Sequence, residues 1–186
     1  MPMVEELERL RKEVEEINRQ ATALCDGLSE ADLAWRPQPG RWSIAENLIH
    51  LRTVAEVFMP AVDAAIAGAR AKNLCREGPF PLRLMGRLYC WYVEPPPKFR
   101  LPAPKILHPL LTGPATNALP LFLDSQKRWV ESIEAANGLD LNRVRITSPL
   151  AKFVRMDLLT IFHVGTGHAR RHLWQARQVR ERLPAK

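Results

Sequence analysis

Two histidines four residues apart, His168 and His172, stand in the stretch GHARRHLWQA near the end of the chain. Each helical residue advances about 100°, so an i, i+4 pair lies about 40° apart on one face. Two imidazoles so placed can point at one metal ion. The spacing equally suits two polar residues on a solvated or interfacial helix face, and the pair alone leaves both readings open. On a regular helix His163 falls about 140° from His168 and about 180° from His172, which keeps it out of the pair. His108 precedes a proline in an irregular stretch, and pattern does not place it.

A third ligand would favour a metal, and His50 is the candidate. It lies in WSIAENLIHL, between Ile49 and Leu51. A polar ring in such an apolar run is costly unless hydrogen-bonded or metal-bound. His50 stands roughly 10 Å beyond Ser43 along a helix, and His172 roughly 15 Å before the end of the last one. If those helices are antiparallel, the histidines come to similar heights.

The elements that must position these residues read as helices. Residues 3–28 carry Leu7, Leu10, Val14, Ile17, Ala21, Leu24 and Leu28 at alternating three–four spacing, a narrow apolar stripe. After a short connection through Pro37, Pro39 and Gly40, Ser43 and Glu46 form the S-x-x-E capping pattern that starts a second helix. It is predicted to run to about Gly68, with a kink at Pro60. Residues 69–118 are rich in proline and predicted to be a long, mostly irregular excursion, with one short helix over Leu82–Tyr92. In that helix Leu82, Met85, Leu88, Tyr89 and Tyr92 share a side. A third helix is predicted from Ala118 to Ala136, lined by Leu119, Phe122, Gln126, Trp129, Ile133 and Ala136, with Gly138 suited to a left-handed cap. A fourth is predicted from about Met156 to Leu183. No strand pattern is evident, so the fold class is all-α, a four-helix domain spanning residues 1–186.

WSIAENLIHL and GHARRHLWQA together resemble the DinB-like superfamily of metalloenzyme-type proteins. That family's pattern is W-S-x-x-E-x-x-x-H-L opening the second helix and H-x-x-x-H, often H-x-x-R-H-x-x-Q, on the fourth. The matching residues here are Trp42, Ser43, Glu46 or Asn47, His50 and Leu51, then His168, Arg171, His172 and Gln175. The lead-in GLSEADLAWRPQPGRW is similar too. The resemblance implies an up-down-down-up four-helix bundle, an order that the long excursion between helices two and three also suits. It further implies a divalent metal held by His50, His168 and His172. Some members of the family transfer low-molecular-weight thiols such as bacillithiol or mycothiol, and one relative isomerises maleylpyruvate.

Three neutral imidazoles suit zinc, nickel or iron. A three-histidine set leaves a coordination position open, as catalytic rather than structural sites do. A metal so held can acidify water, polarise a substrate atom or bind a thiol as thiolate. Hydrolysis would call for a nearby carboxylate base. Glu46 lies four before His50 but is wanted by the capping box, and Asn47 is a candidate hydrogen-bond partner for a ligand. Arg170 and Arg171 sit between the two histidines, and Arg171 could orient an anion or else be an exposed or inter-helix arginine. Gln175 could hydrogen-bond an imidazole. Trp42 and Trp174 read as packing residues.

Composition narrows the function classes. The chain has 186 residues, 46% hydrophobic and 25% charged, the profile of a soluble globular protein. No apolar run reaches the roughly 18–20 residues that span a bilayer, and the charged N-terminus has no signal-peptide core, so a cytoplasmic location without membrane attachment is expected. Cys25, Cys75 and Cys90 are few and far apart, which argues against disulfides, a thiolate metal site or a cysteine nucleophile. The net charge of +7 admits an acidic partner. Arg9, Arg36, Arg70, Arg100, Arg143, Arg155 and Arg180 are dispersed, however, and no DNA-binding motif is present, so nucleic acid is not the expected partner. The expected reading is a metal-dependent hydrolase or thiol-linked transferase acting on a small, thiol-linked or anionic substrate. The alternative is a non-enzymatic metal-binding or stress-associated bundle. A homodimer is compatible with either.

Overall fold

The computed structural model describes residues 2–99 and 102–184. Arg100, one of the dispersed arginines, and the 100–101 piece of the proline-rich stretch lie outside them. The described residues are mostly helical: α1 (Glu5–Cys25), α2 (Glu30–Ala34), α3 (Ile44–Ala71), α4 (Leu84–Val93), α5 (Ala118–Ala135) and α6 (Leu158–Arg180). Two short strands, β1 (Arg145–Thr147) and β2 (Arg155–Asp157), and two 3-10 turns, Lys105–Leu107 and Ala115–Asn117, complete the chain.

The apolar stripe of α1 is buried as its spacing requires, at Leu7, Leu10, Val14, Ile17, Ala21 and Leu24. Helix α1 packs on α5 and α6, and so does α3. The core forms two clusters. One gathers Leu10, Met59, Ile133 and Phe162. The other gathers Ile17, Leu48, Phe122 and Leu173 and includes the immediate neighbours of the histidines, Ile49, Leu51 and Ala169. Each such buried aliphatic or aromatic side chain contributes roughly 1.5–3 kcal/mol of transfer free energy, so the histidines sit in well-anchored stretches of their helices.

The structure corrects the sequence reading in several places. Helix α1 stops at Cys25, and Gly27 turns the chain at φ +71°. The expected plain connection then contains α2, started by a second capping box in which Ser29 and Asp32 satisfy each other's backbone N–H groups. An Asp at the third position does what Glu does in the usual pattern. The third and fourth helices are separated by an antiparallel strand pair, Arg145 opposite Asp157 and Thr147 opposite Arg155. Three residues are too few to show an alternating pattern, which is why no strand was expected. Helix α6 starts at Leu158, because the side chain of Asp157 accepts from the N–H of Thr160 at 2.8 Å and ends the strand.

Another difference concerns α4. Met85 and Leu88, on the shared apolar side of the sequence reading, are exposed, and the helix turns Gly86 and Val93 inward. Gly86 sets this choice: a Cβ there would lie 2.5 Å from Thr160 Oγ1 on α6. Only the absence of a side chain lets the two helices approach so closely. Helix α3 continues through Pro60 to Ala71, past the expected end at Gly68.

Candidate metal centre

The N-cap of α3 sets one half of the centre. Ser43 Oγ accepts from the Glu46 N–H at 3.1 Å, and Glu46 Oε2 accepts from the Ser43 N–H at 2.9 Å. Arg36 closes the far side of the same carboxylate, its Nε 2.8 Å from Oε2. Glu46 is therefore fully engaged as a structural residue and is not poised as a base. With the helix start fixed, Asn47 and His50 fall on its inward face, each only 2% exposed.

Helix α6 brings His168 and His172 to the same place. The ligand nitrogens of His50, His168 and His172 all lie within 4.8 Å of one another. His172 Nε2 and His168 Nε2 are 3.2 Å apart. Two nitrogens bound tetrahedrally to one ion at about 2.1 Å stand roughly 3.4 Å apart, so this spacing fits a shared divalent cation. The arrangement unites the three residues singled out in the sequence and leaves His163 aside. Elsewhere on α6, His163 Nε2 is buried without a hydrogen-bond partner among the described residues.

Two of the three rings are held from behind. His50 Nδ1 lies 2.7 Å from the carbonyl oxygen of Leu107 and can only donate to it, which leaves Nε2 as the free lone pair. His172 Nδ1 lies 2.9 Å from Asn47 Oδ1. The orientation of that amide is fixed by its other end, since Asn47 Nδ2 donates to the Ser43 carbonyl at 2.8 Å. His172 Nδ1 therefore carries the proton, and its Nε2 faces the other histidines. Such backing is what orients imidazole ligands and raises their basicity.

Electrostatics keep the rings neutral. Burial lowers His168 from the ordinary 6.5 to about 3, with His50 and Arg171 adding to the effect. Burial also takes His172 well below the ordinary value, again with its two partners and Arg171 behind it. His50 is lowered by burial against the opposing pull of the Leu107 hydrogen bond. Neutral imidazole is the form that coordinates a cation.

The centre opens into a cavity of about 900 Å³. Trp42 forms one wall, stacked on His172 at 5.7 Å between ring centroids and tilted over His50 at 4.7 Å. Its packing role was expected, but what it packs against is the histidine set itself. The segment between α4 and α5 forms another wall and brings His108 to the cavity, edge-on to Trp42 at 6.3 Å. His108 Nε2 is 2.9 Å from the Ala103 carbonyl, which assigns the proton to Nε2 and leaves Nδ1 with a free lone pair. Neither His108 nor the Leu107 carbonyl had any periodic signal. A histidine beside prolines in a stretch too apolar to be a linker is the only cue the sequence offers.

Arg171 is buried, and its guanidinium donates to the carbonyls of Tyr92 at 3.1 Å and Phe99 at 2.8 Å while lying over the Tyr92 ring. It ties the excursion to the histidine helix. Arg170 points elsewhere, to Glu13 and Glu94. Gln175 and Trp174 line the cavity, and Gln175 makes no hydrogen bond to an imidazole among the described residues.

Comparison with known proteins agrees with this architecture. A model of the DinB superfamily matches residues 6–176. The chain belongs to the DinB superfamily. Among solved structures, this DinB chain resembles YfiT from Bacillus subtilis, described as "a probable metal-dependent hydrolase with an unusual four-helix bundle topology". The match covers 98% of this chain and 90% of that one, at 12% identity and a TM-score of 0.62, which shows a shared fold. No curated protein matches the chain. No helix among the described residues is long and apolar enough to cross a membrane.

Proposed function

We propose that this DinB protein is a metal-dependent enzyme acting on a small molecule, either a hydrolase or a thiol-linked transferase. Its divalent ion, zinc, nickel or iron, is held by His50, His168 and His172. In this reading the chain is one domain whose long helices run up-down-down-up, with residues between Ala71 and Ala118 making the long return. The observation that carries it is the convergence of three neutral, oriented imidazoles on the floor of a large cavity. The similar fold of YfiT and its description as a probable metal-dependent hydrolase support the same reading.

The bound ion would supply Lewis acidity and a site for the nucleophile or the polarised substrate atom. The chain supplies the rest. Asn47 and the Leu107 carbonyl fix the ring planes of His172 and His50. Trp42 and the proline-rich wall exclude water from one side of the histidines. Among the described residues no Asp or Glu lines the cavity, so a carboxylate base is not part of the scheme. His108 takes that place: its free Nδ1 can accept a proton and return it.

Elemental analysis of the purified protein tests the centre directly. About one divalent ion per chain is expected, and loss of most of it in His50→Ala. Unchanged metal content in that variant would sink the assignment. The lack of a carboxylate in the lining also favours a second reading, a metal-binding bundle without catalysis. Turnover of a thiol conjugate or ester that disappears in His108→Ala, with the metal retained, excludes it.

A further inference from the structure

Among the described residues, the charged side chains that line the cavity are Arg41, Arg171 and Arg182, with no carboxylate. On the rest of the molecule, arginines next to acids are paired: Arg36 with Glu46, Arg145 with Asp157, Arg170 with Glu13 and Glu94. The three cavity arginines have no acidic partner among the described residues. Glu181, next in sequence to Arg182, accepts from Gln178 Nε2 and does not line the cavity. Arg171 is only 8% exposed, and its guanidinium meets two neutral carbonyls. A buried cation answered only by dipoles leaves its charge uncompensated. A divalent ion on three neutral imidazoles would add two further positive charges and no negative one. The remaining wall joins the apolar and aromatic Trp174, Val93, Val179 and Pro97 to the neutral amides of Gln175 and Gln178.

We propose that the cavity selects an organic anion: a molecule with an apolar or aromatic body and a carboxylate or phosphate group held by Arg41 and Arg182. This rests on the reading of the cavity as a substrate site. The planar guanidinium offers paired N–H donors that match either oxyacid group. Arg41 and Arg182 are exposed and make no side-chain hydrogen bond among the described residues, so they are free to close on a ligand. Arg171 contributes through its field, since its donors already hold the excursion. A cationic substrate such as a polyamine would meet three like charges and is rejected.

Binding is measured by calorimetry on the metal-free and the metal-loaded protein, at fixed ionic strength. The probes are 3-phenylpropionate, its neutral amide and phenyl phosphate. At least one anion is expected to bind saturably to both forms, at least ten-fold more tightly than the amide. The stronger of the two anions identifies the oxyacid. Arg41→Gln/Arg182→Gln is expected to weaken that binding ten-fold or more with metal content and Tm unchanged. Equal binding of the amide, or full anion affinity in the double variant, overturns the proposal. Anion binding to a protein whose metal content is indifferent to His50→Ala would remove the metal centre and leave the anion site standing.

Discussion

Asn47 and His172, 125 positions apart in sequence, are joined by a 2.9 Å hydrogen bond from the ring Nδ1–H to the amide oxygen. The same amide donates to the Ser43 carbonyl, so the cap of one helix reaches the imidazole of another through a single side chain. Replacing Asn47 by alanine orphans the buried His172 Nδ1–H, while the Ser43 carbonyl keeps its bond from the backbone N–H of residue 47. Loss of such backing partners typically costs about 10- to 100-fold in metal affinity. Competition with a chelator is expected to show that range for Asn47→Ala and a smaller loss for Asn47→Asp, which keeps the acceptor.

Glu46 stands close to the histidines in sequence yet serves the helix start. Glu46→Ala removes the acceptor for the Ser43 N–H and the partner of Arg36. A lost cap costs about 0.5–2 kcal/mol. Urea unfolding is expected to show a loss in that range or slightly above it. Any activity, corrected for the folded fraction, is expected to remain in Glu46→Gln. A large specific loss of turnover in Glu46→Gln would return this carboxylate to the chemistry.

The three imidazoles set a direction for the pH dependence of the metal-free protein. In the folded chain their proton affinity is lowered, for His168 to about 3. In the unfolded chain they titrate near 6.5. Below about 6.5 the unfolded state binds more protons, so stability rises with pH through this window and is lost on acidification. Tm is expected to fall from pH 7.5 to pH 5, and His168→Gln to flatten that fall. An unchanged or rising Tm on acidification contradicts this account.

Arg171 holds the excursion by the carbonyls of Tyr92 and Phe99. Arg171→Met keeps much of the stem but removes both bonds. Hydrogen exchange is expected to speed up across residues 92–108 and to stay unchanged in α1. Protection unaltered in that segment would show that the prolines alone hold it.

Gly86 and Thr160 define the contact of α4 with α6. Alanine at 86 gains up to about 1 kcal/mol in helix propensity but meets Thr160 Oγ1 at 2.5 Å. Overpacking of this kind costs about 1–3 kcal/mol, so the net effect is destabilising. Denaturant titration of Gly86→Ala is expected to show a lower midpoint, with recovery in Gly86→Ala/Thr160→Ala.

The long helices and the His168–His172 pair were legible because both follow local rules, whereas His50 joined the pair through the family resemblance. The stripe from Leu7 to Leu24, the Ser43–Glu46 cap and the i, i+4 spacing of His168 and His172 are written within one or two turns of chain. What escaped depends on contacts far apart in sequence. The Leu107 carbonyl reaches His50 across 57 positions, and nothing periodic marks a backbone oxygen. Arg171 looked like a substrate-orienting or surface residue because its carbonyl partners belong to an irregular segment. The inward face of α4 escaped because its apolar side, with Met85 and Leu88, is exposed, whereas close approach required the side with no side chain.

The bond from His50 to the Leu107 carbonyl makes the seating of the proline-rich segment and the aim of one histidine a single equilibrium. Coupling of this kind is reciprocal. Whatever peels the segment away frees the ring to rotate, and whatever locks the ring tightens the segment. The wall of the cavity thus doubles as a latch, engaged from the inside by the residue it covers.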